Sequence, residues 1–150
     1  MRLRSRRVGL ALLVLLIAVQ FFPVDRRNPS ADPSKSINVT ERLPLTVQTV
    51  FRGSCVNCHS YQTRWPWYSY LAPASWIIAR DVREGRKKMN FSEWGSYSAE
   101  KREQKLEEIC EQVTNGDMPD PKYLFFHRRA RPTQQQREAV CEWTEASRQY

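Results

Sequence analysis

The chain has no alternating apolar–polar stretch long enough to predict a strand, and no internal repeat. That leaves an all-α plan, and it removes the βαβ setting in which thiol–disulfide oxidoreductases carry their Cys-x-x-Cys pair. Paired carboxylates are missing, and histidine occurs only twice, so no general acid–base set equips an enzyme. The basic excess is not a nucleic-acid footprint. Of the formal +8, the first 27 residues hold six arginines against one aspartate, which leaves +3 for everything after them. A small-x-small cleavage site is also missing after the one apolar run.

That run is the first positive feature. Arg2, Arg4, Arg6 and Arg7 precede an uninterrupted apolar stretch from Val8 to Val19, and Gln20-Phe21-Phe22-Pro23-Val24 follows. Counted through Val24 it has 17 residues, at the lower limit for a membrane span. With no cleavage signal, residues 1–24 are predicted to be an uncleaved transmembrane anchor rather than a removed signal peptide. The excess of arginines before the run places the amino terminus inside and the remainder outside. Residues 25–43 have the Pro, Ser and Asp content of a solvated linker, and residues 44–150 make one domain of ordinary size.

The most specific pattern is Cys55-Val56-Asn57-Cys58-His59. Two cysteines about one helical turn apart can both reach the vinyl groups of one porphyrin, and the next histidine is carried under the iron. The spacing predicts one covalent haem c, with thioethers at Cys55 and Cys58 and axial ligation by His59. Four helices are predicted around it. The first spans about 45–59. The second runs from Pro73 to about Met89, with Ile78, Val82, Gly85 and Met89 on one face and Gly85 allowing close approach of a backbone or the porphyrin. The third starts at a Ser98 N-cap and ends at Asn115-Gly116. The fourth opens on the capping box Thr133…Gln136.

For the sixth iron position the candidate is Met118, in the irregular loop Gly116-Asp117-Met118-Pro119. His127 competes but precedes a run of arginines, and Met89 continues an apolar helix face. Methionine is also a common core filler. A thioether raises the reduction potential, and a six-coordinate iron has no open substrate position, so the reading favours a single-electron carrier over a catalyst.

The stretches CVNCHSYQTRWPWYSYLAPASW, VREGRKKMNFSEW and NGDMPDPKYLFFH, with the preceding Gln-Phe-Phe-Pro, resemble the bacterial haem-binding domain family of small exported c-type cytochromes. The resemblance implies a cytochrome c-like, mono-haem domain tethered to the inner membrane and facing the periplasm, with His59 and Met118 on the iron. The chain departs from the family pattern at Asp120 and in having Cys110 and Cys141.

In an oxidising compartment those two leftover cysteines invite a disulfide, although two small buried hydrophobes would also account for them. The aromatics from Trp65 to Trp94 (Trp65, Trp67, Tyr68, Tyr70, Trp76, Phe91, Trp94) are expected to wall the porphyrin or to fill an ordinary core. Arg80, Arg83, Arg86, Lys87 and Lys88 form either a solvated face or a docking surface for an acidic redox partner protein. Structural zinc on Cys55, Cys58, His59 and a fourth ligand from Cys110, Cys141 or His127 is the weaker metal reading. The weaker haem reading is a sensor, or an accessory subunit of a larger oxidoreductase, with a labile or histidine sixth ligand.

Overall fold

The computed structural model describes residues 2–148, and every regular element among them is helical. In chain order these are α1 (Arg2–Ala18), α2 (Ile37–Thr40), α3 (Leu45–Val50), α4 (Val56–His59), α5 (Ala74–Lys88), α6 (Ala99–Asn115), α7 (Pro121–Phe126) and α8 (Gln134–Ser147). A π-helical turn, Phe51–Cys55, joins α3 to α4, and short 3-10 turns fill several of the other connections.

Side-chain caps open α6, α7 and α8. Ser98 Oγ accepts from the Lys101 amide and opens α6, which stops where Gly116 turns left-handed at φ 77°. Before α8, Thr133 Oγ1 accepts from the Gln136 amide, while Gln136 Oε1 accepts from the Thr133 amide. That is the reciprocal capping box. α7, which was not predicted, starts on Asp120, whose carboxylate accepts from the Lys122 amide, with Pro121 at the first helical position.

α3, α6 and α8 pack together around one apolar cluster. It contains Ile37, Val47, Val50, Phe51, Phe91, Trp94, Leu106, Ile109, Val140 and Trp143. Phe51 is central: its ring stacks on Phe91 at 4.7 Å and meets Trp143 edge-on at 5.5 Å. Each such buried ring contributes about 1.5–3 kcal/mol by removal from water. Trp94 is fully buried, and its indole N–H donates to Glu41 Oε1 at 2.8 Å. A disulfide between Cys110 and Cys141, with Cα atoms 4.7 Å apart, ties α6 to α8. The pairing left open by the sequence is therefore formed.

The amino-terminal expectation needs correction. α1 has 17 residues, but its first turns carry the arginines, and only the 11 residues Val8–Ala18 are apolar. At 1.5 Å per residue they cover about 16 Å, roughly half of a ~30 Å hydrocarbon layer. The helix then tightens into a 3-10 turn, Val19–Phe21. Gln20 is held there by Ala72, donating to its carbonyl and accepting from its amide. No described helix is long and apolar enough to cross a membrane. The predicted transmembrane helix fails on this ground, and so does the single-pass inner-membrane location that rested on it. The all-α part of the expectation agrees with the structure.

Within the segment read as a linker, Ile37 is 1% exposed, and its amide donates to the Phe91 carbonyl at 2.9 Å. Arg86 fastens the same segment by donating to Asn28 Oδ1, Thr63 Oγ1 and the Ser60 carbonyl.

Candidate functional site

The Cys55–His59 motif is carried by the π-helical turn and α4 and is pinned by its own side chains. Asn57 donates from Nδ2 to the Tyr123 hydroxyl at 2.9 Å and accepts the Arg64 amide on Oδ1 at 3.1 Å. Thr63 Oγ1 donates to the Asn57 carbonyl, and Ser60 Oγ donates to the Val56 carbonyl. α5 lies directly against this turn. A Cβ at Gly85 would sit 2.6 Å from the Cys58 carbonyl oxygen, so only glycine admits the contact. Of the two partners open to Gly85, the structure places the backbone of α4 there.

That packing brings Met89, at the end of α5, under His59. His59 Nδ1 lies 3.2 Å from the Met89 carbonyl oxygen. A carbonyl can only accept, so Nδ1 carries the proton and Nε2 keeps its lone pair. Burial pushes the His59 pKa below its ordinary 6.5, only partly opposed by the Met89 carbonyl. The imidazole is therefore neutral at pH 7, with one nitrogen oriented and the other open. A neighbouring carbonyl orients metal-binding histidines in the same way.

His59 opens onto a cavity of about 400 Å³ that Cys55, Met89, Phe91, Ile109 and Met118 also line. Met118 arrives there from the α6–α7 loop, where its amide donates to the Gln112 carbonyl at 3.1 Å just after the left-handed Gly116. The loop reading of Met118 thus matches a thioether facing the same space as His59. Met89 shares the cavity, but its side chain packs on the core cluster and its carbonyl is committed to His59.

Cys58 does not line that cavity. It opens onto a second one, of about 570 Å³, walled by Tyr68, Ile78, Val82, Tyr123 and His127. His127 is thereby separated from His59, and its Nε2 lies 2.6 Å from the Tyr68 hydroxyl. Both motif cysteines are free thiols. Burial pushes Cys55 up to about 12 and Cys58 up to about 11, so each stays protonated at neutral pH. Thiols that exchange disulfides have depressed pKa values instead. The zinc alternative loses Cys110 and Cys141 to their own bond, and no cluster of three or more His, Cys, Asp or Glu suited to a metal ion occurs among the described residues.

The aromatics divide. Phe91 lines the His59 cavity, Tyr68 lines the second, and Trp94 is core. Trp67, Tyr70 and Trp76 are exposed. Trp65 buries its indole N–H without a partner. Of the basic run on α5, Arg86 is consumed as a clamp, while Arg80, Arg83, Lys87 and Lys88 remain exposed. Two contributors were not read from sequence. Tyr123 was within reach, because Asp120-Pro121 is a helix-start signature that would have placed it on α7; Lys105, on the cavity wall beside Glu108, carried no signal.

An open imidazole nitrogen, two free thiols on the adjoining turn and a thioether facing the same apolar space make a donor set that fits haem. The volume lies in the ordinary range for bound cofactors. A profile of the family described as haem-binding domain matches residues 14–146, which includes part of α1 and all of the segment up to the motif. No curated protein and no solved structure matches the chain.

Proposed function

The chain belongs to the haem-binding domain family and is a haem-binding protein, and from that premise we propose that it is a mono-haem c-type cytochrome carrying single electrons in the periplasm. The observation that carries the reading is the His59–Met89 hydrogen bond, which commits Nδ1 and leaves Nε2 as a ligand. In this reading Cys55 and Cys58 would hold haem c through thioether bonds, and His59 and Met118 would supply the two ligands to its iron. When bound, the group supplies a one-electron iron couple.

The chain's own residues do the rest. The Met89 carbonyl fixes the His59 ring, and α5, packed through Gly85 onto Cys58, keeps the motif turn from shifting. Phe51, Phe91, Ile109 and Val113 give the His59 cavity its apolar wall, with Lys88, Lys105, Glu108 and Gln112 also lining it. A methionine paired with a neutral histidine on the iron would favour the reduced metal, because soft sulfur stabilises it. The Cys110–Cys141 disulfide supports an oxidising compartment, where such bonds persist. The exposed cations of α5 suit an acidic redox partner protein, since complementary charge speeds encounter.

The test is an absorption spectrum of the matured protein, oxidised and reduced, extended to the near-infrared sulfur-to-iron band. Met118→Ala is expected to abolish that band, lower the reduction potential and open the iron to added ligands. An unaltered spectrum in the variant would remove Met118 from the metal.

A further inference from the structure

Cys58 opens onto the 570 Å³ cavity, and Asn57, Thr63, Arg64 and Tyr123 of its wall brace the motif turn; the rest of the lining has no part in the haem site proposed above. The ring residues of its wall, Tyr68, Tyr123, Phe125, Phe126 and His127, also lie outside the apolar core cluster. Four of them form two stacked pairs, and Phe125 meets Phe126 edge-on. Tyr68 stacks on Phe126 at 4.8 Å and 26°, and Tyr123 stacks on His127 at 4.3 Å and 21°. Ile78 and Val82 of α5 complete an apolar wall. Surfaces of this kind take flat molecules, because rings gain most from offset stacking.

The polar groups are few and convergent. Tyr68 and His127 are joined at 2.6 Å, and burial keeps His127 below its ordinary pKa, hence neutral. A neutral imidazole has two tautomers. With the proton on Nδ1, Tyr68 donates to Nε2 and its oxygen remains an acceptor. With the proton on Nε2, the ring donates and the phenol proton is released for another partner. One pair therefore meets either a carbonyl or a hydroxyl oxygen. Net charge around the cavity is low, because Lys122, 3.5 Å from Asp81 and 3.4 Å from Asp120, and Arg64 together offset the two carboxylates.

We propose that this cavity binds an uncharged planar aromatic molecule bearing a carbonyl or hydroxyl oxygen, the chemistry shared by quinone and quinol head groups, with that oxygen on the Tyr68–His127 pair. The haem assignment is not needed for this binding.

The test is equilibrium dialysis of the full chain, with and without haem, against 2,3-dimethyl-1,4-naphthoquinone, whose substituted ring does not add to thiols. One saturable site per chain is expected in both forms. Tyr68→Phe removes one hydrogen bond and should weaken binding roughly five- to tenfold. Ile78→Trp, which fills the cavity, should abolish binding while the helical circular dichroism is retained. Absence of saturable binding overturns the proposal, and so does unchanged affinity in Tyr68→Phe. Binding to the haem-free chain alone would assign the cavity to the porphyrin and overturn it equally. Should the chain fail to acquire haem, the missing Soret band reports that separately, and the haem-free titration still decides.

Discussion

The two histidines lie on either side of the same short turn, and burial holds both toward the neutral form. They differ in which nitrogen is committed. His59 spends Nδ1 on a backbone carbonyl, an acceptor that cannot exchange roles, and keeps Nε2 open. His127 spends Nε2 on a phenol that either donates or accepts. The first arrangement fixes a tautomer and prepares a metal ligand; the second leaves the tautomer free and prepares a hydrogen-bonding pair. Neutrality alone does not identify a ligand histidine, and the partner of the other nitrogen does.

The strongest way to break this contrast is to remove each ring in turn. His59→Ala should reduce haem retained by the matured chain by more than about tenfold, since even losing the group that orients a ligand costs metal sites that much. His127→Ala should leave haem content within about twofold. Equal losses, read by haem absorbance per chain, would erase the distinction.

A second change acts on the support beneath His59. Gly85→Val forces a branched side chain onto the Cys58 carbonyl, which a Cβ already meets at 2.6 Å. We expect a loss of about 2–3 kcal/mol in denaturant unfolding, with weakened haem retention. A neutral result would mean that α5 yields easily and does not hold the motif.

Removing the Cys110–Cys141 disulfide as the double serine variant acts on the α6–α8 pair rather than on either ring. The chain-entropy model gives a loss of about 3–4 kcal/mol, with haem content unchanged.

The smallest effect is the pH response of His127. Its folded pKa lies below the unfolded 6.5, so the folded state binds fewer protons, and this group's contribution is full above pH 6.5. It declines as the pH falls from there. The unfolding midpoint should drop between pH 7.5 and 5.5, and by less in His127→Phe. An unchanged pH response in the variant would contradict the assigned shift.

Much of this was legible from local chemistry. Ser98, Gly116 and the Thr133–Gln136 box mark helix ends because caps act within one turn. The cysteine pair and His59 form an equally local pattern, and their haem role is the proposal made above. What escaped is long-range. α2 has only four residues and gains its stability by burying Ile37 under Phe91, which no periodicity of its own announces. The π-helical turn before the motif alters backbone hydrogen bonding and leaves the apolar spacing intact, so residues 45–59 read as one helix. The Met89 carbonyl that orients His59 is 30 residues away. The end of α1 was misread because apolar composition continues past Ala18, while the contact that holds the turn there, Gln20 on Ala72, spans 52 residues.

The central claim is that this turn carries a porphyrin bonded to both cysteines. It is tested most directly by the mass of the full chain, expressed in cells competent for cytochrome assembly and measured after denaturation. The account predicts a chain heavier by one haem, with Cys55→Ser and Cys58→Ser each losing a thioether link. A denatured chain at its unmodified mass, from cells that load a control cytochrome, would contradict it.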